Sequence, residues 1–173
     1  MRDICIIPAR MGSKRIKHKN IKNFLGKPII SRVISTAKKS KCFSKIFVST
    51  DSQKIKKISE KFGAEVPFIR PKYLSTNKAS SVAALKHAVK FMEKKYKIKY
   101  DYVIELMCTN PLKKMVDINE TILKLIKTKA DSVIAVHKVE DNHPRRVKKI
   151  IKDKIVDFMK EKPESRRQDL KPL

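Results

Sequence analysis

An apolar run that begins the chain and never alternates with polar residues leaves few folds open. Asp3 to Ala9 reads Asp-Ile-Cys-Ile-Ile-Pro-Ala. Its middle has no residue to turn toward water, so the segment must be covered on both faces, as a central strand of a parallel sheet is. Covering both faces takes helices, and the sequence supplies them at regular intervals. Pro28 to Lys39 sets Ile29, Ile30, Val33, Ile34 and Ala37 at helical spacing. Lys45 to Thr50 reads as a second strand. Asp51-Ser52 then caps a helix that runs to Phe62 and is ended by Gly63. Glu65 to Ile69 reads as a third strand, and Ser80 or Ser81 caps a long helix to about Lys95. Tyr102 to Met107 makes a fourth strand, Asp117 to Lys127 a helix, and Asp131 to Val136 a fifth strand. Strand-helix units joined by short loops predict an α/β fold: a mostly parallel, Rossmann-like sheet in a three-layer α/β/α sandwich.

Past His137 the rhythm changes. Val147 to Ile151 and Lys154 to Phe158 alternate around Lys152-Asp153, the pattern of a hairpin, and the polar stretch from Lys160 to Leu173 adds no closing element. We read residues 1–173 as a single domain that looks incomplete at its C-terminus, with 139–160 as a small extension. The apolar side chains of that extension call for a partner surface. The N-terminal run is short and has an acid in front of it, so it predicts a buried strand and not a signal peptide. With no apolar run of bilayer length, we expect a cytoplasmic protein without a membrane partner.

The formal charge is +26, from 43 Lys and Arg against 17 Asp and Glu. Such a field attracts polyphosphate. The excess is nearly all lysine, spread along the chain, and aromatic residues are only 6%. Base readers favour arginine forks and single-strand binders interleave aromatics, so the composition argues against a nucleic-acid site, which stays as a competing reading. Cys5, Cys42 and Cys108 form no CxxC pair, and the four histidines show no ligand spacing, so free thiols are expected and no zinc site.

In open α/β sheets ligands bind beyond the carboxyl ends of the strands. There the first strand delivers Pro8-Ala9-Arg10-Met11-Gly12-Ser13-Lys14-Arg15. Gly12 permits a tight turn with amides facing an anion, and Arg10, Lys14 and Lys19 can neutralise a triphosphate. One glycine makes neither a Walker loop nor a dinucleotide fingerprint. On composition alone, a plain basic loop is as good a reading as an anion site.

The wording of the whole stretch goes further. Ile7-Pro8-Ala9-Arg10-Met11-Gly12-Ser13-Lys14, then Lys19-Asn20, then Leu25-Gly26-Lys27-Pro28 resembles the opening of the acylneuraminate cytidylyltransferases. Later segments continue the resemblance: Val48-Ser49-Thr50-Asp51, Arg70-Pro71, Leu74 to Ser81, Leu106-Met107-Cys108-Thr109-Asn110-Pro111-Leu112, His143 to Arg146, and Arg166-Arg167-Gln168. It implies a nucleotidyltransferase that joins CTP to an acidic nine-carbon sugar, giving the CMP-sugar and pyrophosphate. By the same resemblance, Arg10 and Lys19 are the catalytic candidates. Arg10, Gly12, Ser13, Lys14, Lys19, Asn20, Arg70, Ala79 and Ser81 would bind nucleotide, and Met107, Thr109, Asn110, Arg167 and Gln168 would meet the sugar. It also implies Mg²⁺ and a homodimer formed through residues 139–160.

Three departures stand out. Asn77 replaces the family's usual Asp. Met107-Cys108-Thr109-Asn110 replaces Gln-Pro-Thr-Ser, which points toward a legionaminic- or pseudaminic-type acceptor. The family's Asp-x-Asp magnesium ligands have no counterpart in the chain, so its metal residues are unknown and a weakly active or inactive nucleotide-binding remnant is the alternative.

Overall fold

The computed structural model describes residues 2–13, 16–136, 147–152 and 154–158. The chain divides into two compact units, Met1–Val133 and Ile134–Leu173.

In the first unit the apolar run forms β1 (Asp3–Pro8), whose Ile4, Cys5, Ile6 and Ile7 are completely buried. It lies between two parallel neighbours, β4 (Ile46–Ser49) and β5 (Tyr102–Glu105). The strand's period of two sends its side chains into two separate cores. Cys5, Ile7 and Ala9 point to one face. There they meet Ile30, Val33, Ile34 and Ala37 of α1 (Ile29–Ser40), Ile55 of α2 (Gln53–Lys61), and Ile118 and Ile122 of α4 (Met115–Thr128). Ile4 and Ile6 point to the other, with Phe47, against Ala88 and Met92 of α3 (Ser81–Tyr96). The expected three-layer sandwich is therefore present, three helices on one face and one on the other.

Local chemistry sets the element ends. Ser52 takes the N-cap of α2, its hydroxyl accepting from the Ile55 amide at 3.3 Å. Just past that helix, Gly63 holds φ +85°, a left-handed conformation that β-carbons resist. Helix α4 begins two residues before Asp117, whose Oδ2 accepts from the Lys114 amide at 2.7 Å. One element was not legible: a short hairpin of β2 (Asn23–Phe24) and β3 (Lys27–Pro28) turns at Leu25 and Gly26, both left-handed. Arg32 braces it, donating to the carbonyls of Phe24 and Leu25.

Two strand expectations need correction. Residues 65–69 run parallel to β4 but touch its ladder only through isolated bridges, Phe47 with Glu65 and Thr50 with Ile69. The expected fifth strand, 131–136, does not form, and Ile134 and Val136 are 77% and 81% exposed. An apolar cluster becomes a strand only when a neighbouring edge accepts its backbone hydrogen bonds. Among the described residues nothing pairs with 131–136, and the division between the two units falls within it.

The described part of the second unit is an antiparallel hairpin, β6 (Lys148–Ile151) and β7 (Lys154–Asp157). Lys148 pairs with Asp157 at its open end, where the Phe158 amide donates to the Val147 carbonyl at 3.0 Å. The expected hairpin is thus present.

Candidate functional site

The strand order β4-β1-β5 places a sequence neighbour of β1 on one side and a late strand on the other. The direction in which strands are added reverses at β1, so a crevice opens beyond its carboxyl end. A cleft of about 600 Å³ lies there. One wall comes from the loop after β1, one from residues 70–81 and the start of α3, and one from the end of β5.

Nine of the residues singled out from sequence line this cleft. Arg10, Ser13, Lys19 and Asn20 come from the first wall; Arg70, Ala79 and Ser81 from the second; Met107 and Thr109 from the third. Gly12 and Asn110 do not line it. Gly12 has an ordinary backbone conformation, and a β-carbon there would meet nothing within 4 Å. A tight turn is nonetheless centred on it, the Ser13 amide donating to the Met11 carbonyl at 2.9 Å, and side-chain tethers hold the rest of the loop. Asn110 turns back on its own loop, its amide donating to the Met107 carbonyl at 3.4 Å. Lys14, Arg167, Gln168 and the 143–146 segment lie outside the described residues.

Three tethers hold the loop after β1. Buried Asn20 donates through Nδ2 to the Arg10 carbonyl at 2.8 Å. Asp51 Oδ1 accepts from the Met11 amide at 2.8 Å, which commits this carboxylate to the loop. The Arg10 guanidinium reaches across the cleft, its Nη1 donating to Asn77 Oδ1 at 3.0 Å and to the Ser75 carbonyl at 3.4 Å.

Arg70 is only 5% exposed, an unusual position for a cation. Its Nε donates to Ser49 Oγ at 3.0 Å and its Nη2 to the Ser49 carbonyl. Burial lowers its pKa from the ordinary arginine value; nearby Asp51 opposes that and Arg10 adds to it. The guanidinium is a fixed positive charge in the cleft wall. Helix α3 begins there with Ser80 as N-cap, yet no side chain closes the cap. Its first amides, with those of Ser80 and Ser81, stand at the cleft, where the helix dipole favours negative charge.

The third wall is ordered from beneath. Half-buried Lys113 donates through Nζ to the Met107 carbonyl at 2.9 Å and closes the loop that carries Met107, Cys108 and Thr109. Burial lowers the Lys113 pKa, opposed by Cys108, Cys5 and Glu105. Burial also pushes the Cys108 thiol up to about 12, which keeps it protonated and inert. Sequence reasoning singled out the segments that carry Ser80 and Cys108 but gave Glu105 no role, and it read Asp51 as part of a helix cap, whereas its carboxylate holds the loop after β1. Their signal was present as the strand-end position of Glu105 and Asp51, but the facing wall that gives it meaning is remote in sequence.

Among the described residues Glu105 is the one carboxylate lining the cleft, and no group of three or more His, Cys, Asp or Glu side chains is placed to hold a metal. With Asp51 bonded to Met11, these residues do not fit a two-carboxylate Mg²⁺ site.

The sequence matches the cytidylyltransferase family over residues 4–170. The chain belongs to that family. The chain is 45% identical to the pseudaminic acid cytidylyltransferase of Campylobacter jejuni subsp. jejuni serotype O:23/36 over 124 residues, 72% of this chain and 51% of that protein. It is 36% identical to the N-acylneuraminate cytidylyltransferase of Streptococcus agalactiae serotype III over 176 residues, 100% of this chain and 41% of that one. The chain thus spans about half the length of the curated relatives it matches. Its fold is similar to that of CMP:2-keto-3-deoxy-manno-octonic acid synthetase complexed with CTP, with a TM-score of 0.60 at 24% identity, covering 75% of this chain and 49% of that one.

Proposed function

We propose that this cytidylyltransferase binds CTP in the cleft and transfers its cytidylyl group to a nonulosonic, sialic-acid-like sugar, releasing pyrophosphate. The observation that carries the reading is the convergence of Arg10, Lys19 and Arg70 at the strand-order switch, facing the uncapped start of α3. In the reaction the sugar's anomeric hydroxyl attacks the α-phosphorus, the bond from that phosphorus to the bridging oxygen breaks, and the pair leaves on pyrophosphate. The protein's part in such a transfer is positioning and charge stabilisation. Arg10 and Lys19 would neutralise the phosphates. Arg70 and the backbone about Ala79 and Ser81 would meet the base, and Met107 and Thr109 the acceptor.

Exposed Met107 favours an acceptor with an apolar substituent over one that is hydroxylated throughout. The higher identity to the pseudaminic acid enzyme than to the N-acylneuraminate enzyme supports the same choice. Dimerisation through the 139–160 extension and a cytoplasmic location belong to this proposal. No helix among the described residues is long and apolar enough to cross a membrane. A second reading, nucleotide binding with weak turnover by the 173-residue chain, is favoured by Glu105 being the one carboxylate that lines the cleft among the described residues.

Calorimetric titration tests binding. CTP is expected to bind more tightly than ATP or GTP, and Arg10→Ala to weaken it about tenfold or more, as loss of a charge-assisted contact does. Equal affinity for all three nucleotides would remove the base-reading claim. Pyrophosphate release with CTP, Mg²⁺ and either pseudaminic or N-acetylneuraminic acid then separates turnover from binding alone.

A further inference from the structure

Arg10 is the loop cation with a described partner across the cleft, and that partner is a neutral amide. The neutrality has a physical consequence. Nη1 of Arg10 is held by Asn77 Oδ1 at 3.0 Å and by the Ser75 carbonyl at 3.4 Å, both neutral acceptors. Its carbonyl is held by Asn20. The side chain is therefore fixed at both ends, while Nε and Nη2 have no partner among the described residues. Those two nitrogens form the edge that grips two oxygens of one phosphate.

A neutral acceptor fixes the guanidinium without cancelling its charge. A carboxylate at position 77 would fix it equally well but would form an ion pair, and an incoming phosphate would have to compete with it. Asn77 is itself exposed, so changing it does not disturb the core.

We propose that Asn77 is the positioning residue for Arg10, and that its neutral amide leaves the Arg10 charge without an ion-pair partner at position 77, open to the terminal phosphates of a nucleoside triphosphate. The inference rests on the cleft being a triphosphate site, the reading given above. It adds that position 77 tunes affinity according to phosphate number and leaves base preference alone.

The test is calorimetric titration of CTP, CMP, ATP and inorganic tripolyphosphate into the 173-residue chain, its Asn77→Asp variant and its Asn77→Ala variant. Asn77→Asp keeps shape and adds one charge. It is expected to weaken CTP, ATP and tripolyphosphate about two- to fivefold, within the range of an exposed ion pair, and CMP by less than about twofold. Asn77→Ala, which frees the guanidinium without neutralising it, is expected to weaken triphosphates less than Asn77→Asp does. Raising the salt should narrow the difference between Asn77→Asp and the parent. Unchanged triphosphate affinity in Asn77→Asp overturns the proposal, as does an equal loss for CMP and CTP, which would mark a general distortion of the loop. If CTP and ATP bind alike and both weaken in Asn77→Asp, the cytidine-reading function falls and the role of Asn77 stands. If no triphosphate binds the parent chain, both fall.

Discussion

β1 and the β6–β7 hairpin are made from similar residues and end in opposite environments. Ile4, Ile6 and Ile7 are 0% exposed, whereas Ile150 and Ile155 are 74% and 73% exposed. The difference does not lie in residue type. β1 has a parallel strand on each side and a helix layer on each face, so every isoleucine meets packed neighbours. The hairpin has one partner strand. Ile150 and Ile155 pair across it on one face, Ile151 and Val156 lie on the other, and lysines sit beside them on both. A two-stranded ribbon buries too little to be stable alone. The same side chain is a cornerstone in one place and an uncovered surface in the other.

The largest effect that would break this comparison is in the core. Ile7→Ala removes three buried carbons from the centre of the larger cluster, and we expect a loss of about 2–5 kcal/mol in urea unfolding. Ile150→Ala should change the same measurement by about 0.5 kcal/mol or less, as exposed positions do. Equal losses would show that the hairpin is as firmly packed as β1.

Arg70 comes next, being a polar residue buried at the cleft wall. Arg70→Met takes away the donor to the Ser49 hydroxyl, while the Ser49 carbonyl keeps the Ala9 amide at 2.9 Å, and about 1–3 kcal/mol should be lost in the same assay. A stability gain would mean that desolvating the cation outweighs its two bonds.

The hairpin's exposed faces give the third expectation. If they meet a second copy, light scattering at micromolar concentration should show a dimer that the double variant Ile151→Lys, Phe158→Lys converts to monomer. A parent chain that is monomeric, or a variant of unchanged mass, removes the proposed contact.

The smallest effect concerns acid. His87 on α3 has a buried Nδ1 with no partner among the described residues and stands edge-on to Phe68 at 5.0 Å. Burial, and then the charge of Arg70, lowers its pKa from 6.5. The unfolded chain therefore takes up this proton first. The associated stability is present in full above pH ~6.5 and is lost as pH falls through the folded pKa. His87→Leu should flatten the fall in urea midpoint between pH 7.5 and 5.5; an unchanged slope would assign that fall to other groups.

How much of this was legible differs by element. β1 could be read because an unbroken apolar run has one solution, burial on both faces. Helices α1 and α2 could be read from period and capping residues, which act within a few positions. The run 131–136 looked like a strand by the same local criteria and is not one, since pairing depends on an edge that the run itself does not carry. In the cleft, Arg10, Lys19 and Arg70 were legible as residues. Their arrangement was not: the turn at Gly12 could be read locally, but the tethers from Asn20, Asp51 and Asn77 could not.

The sequence by itself determined the strand–helix alternation, the two-sided burial of β1 and the family to which the chain belongs, because periodicity and short motifs are local properties of the chain. Only the tertiary structure decided which strands flank β1, and so where the crevice opens. It also decided that Asp51 is committed to Met11, that Glu105 faces the cleft, and that Arg10 is held by an amide 67 residues away. Those outcomes depend on atoms meeting through space. A hydrogen bond of 3.0 Å between Arg10 and Asn77 exists only after β1, β4 and the start of α3 have been brought to one end of the same sheet.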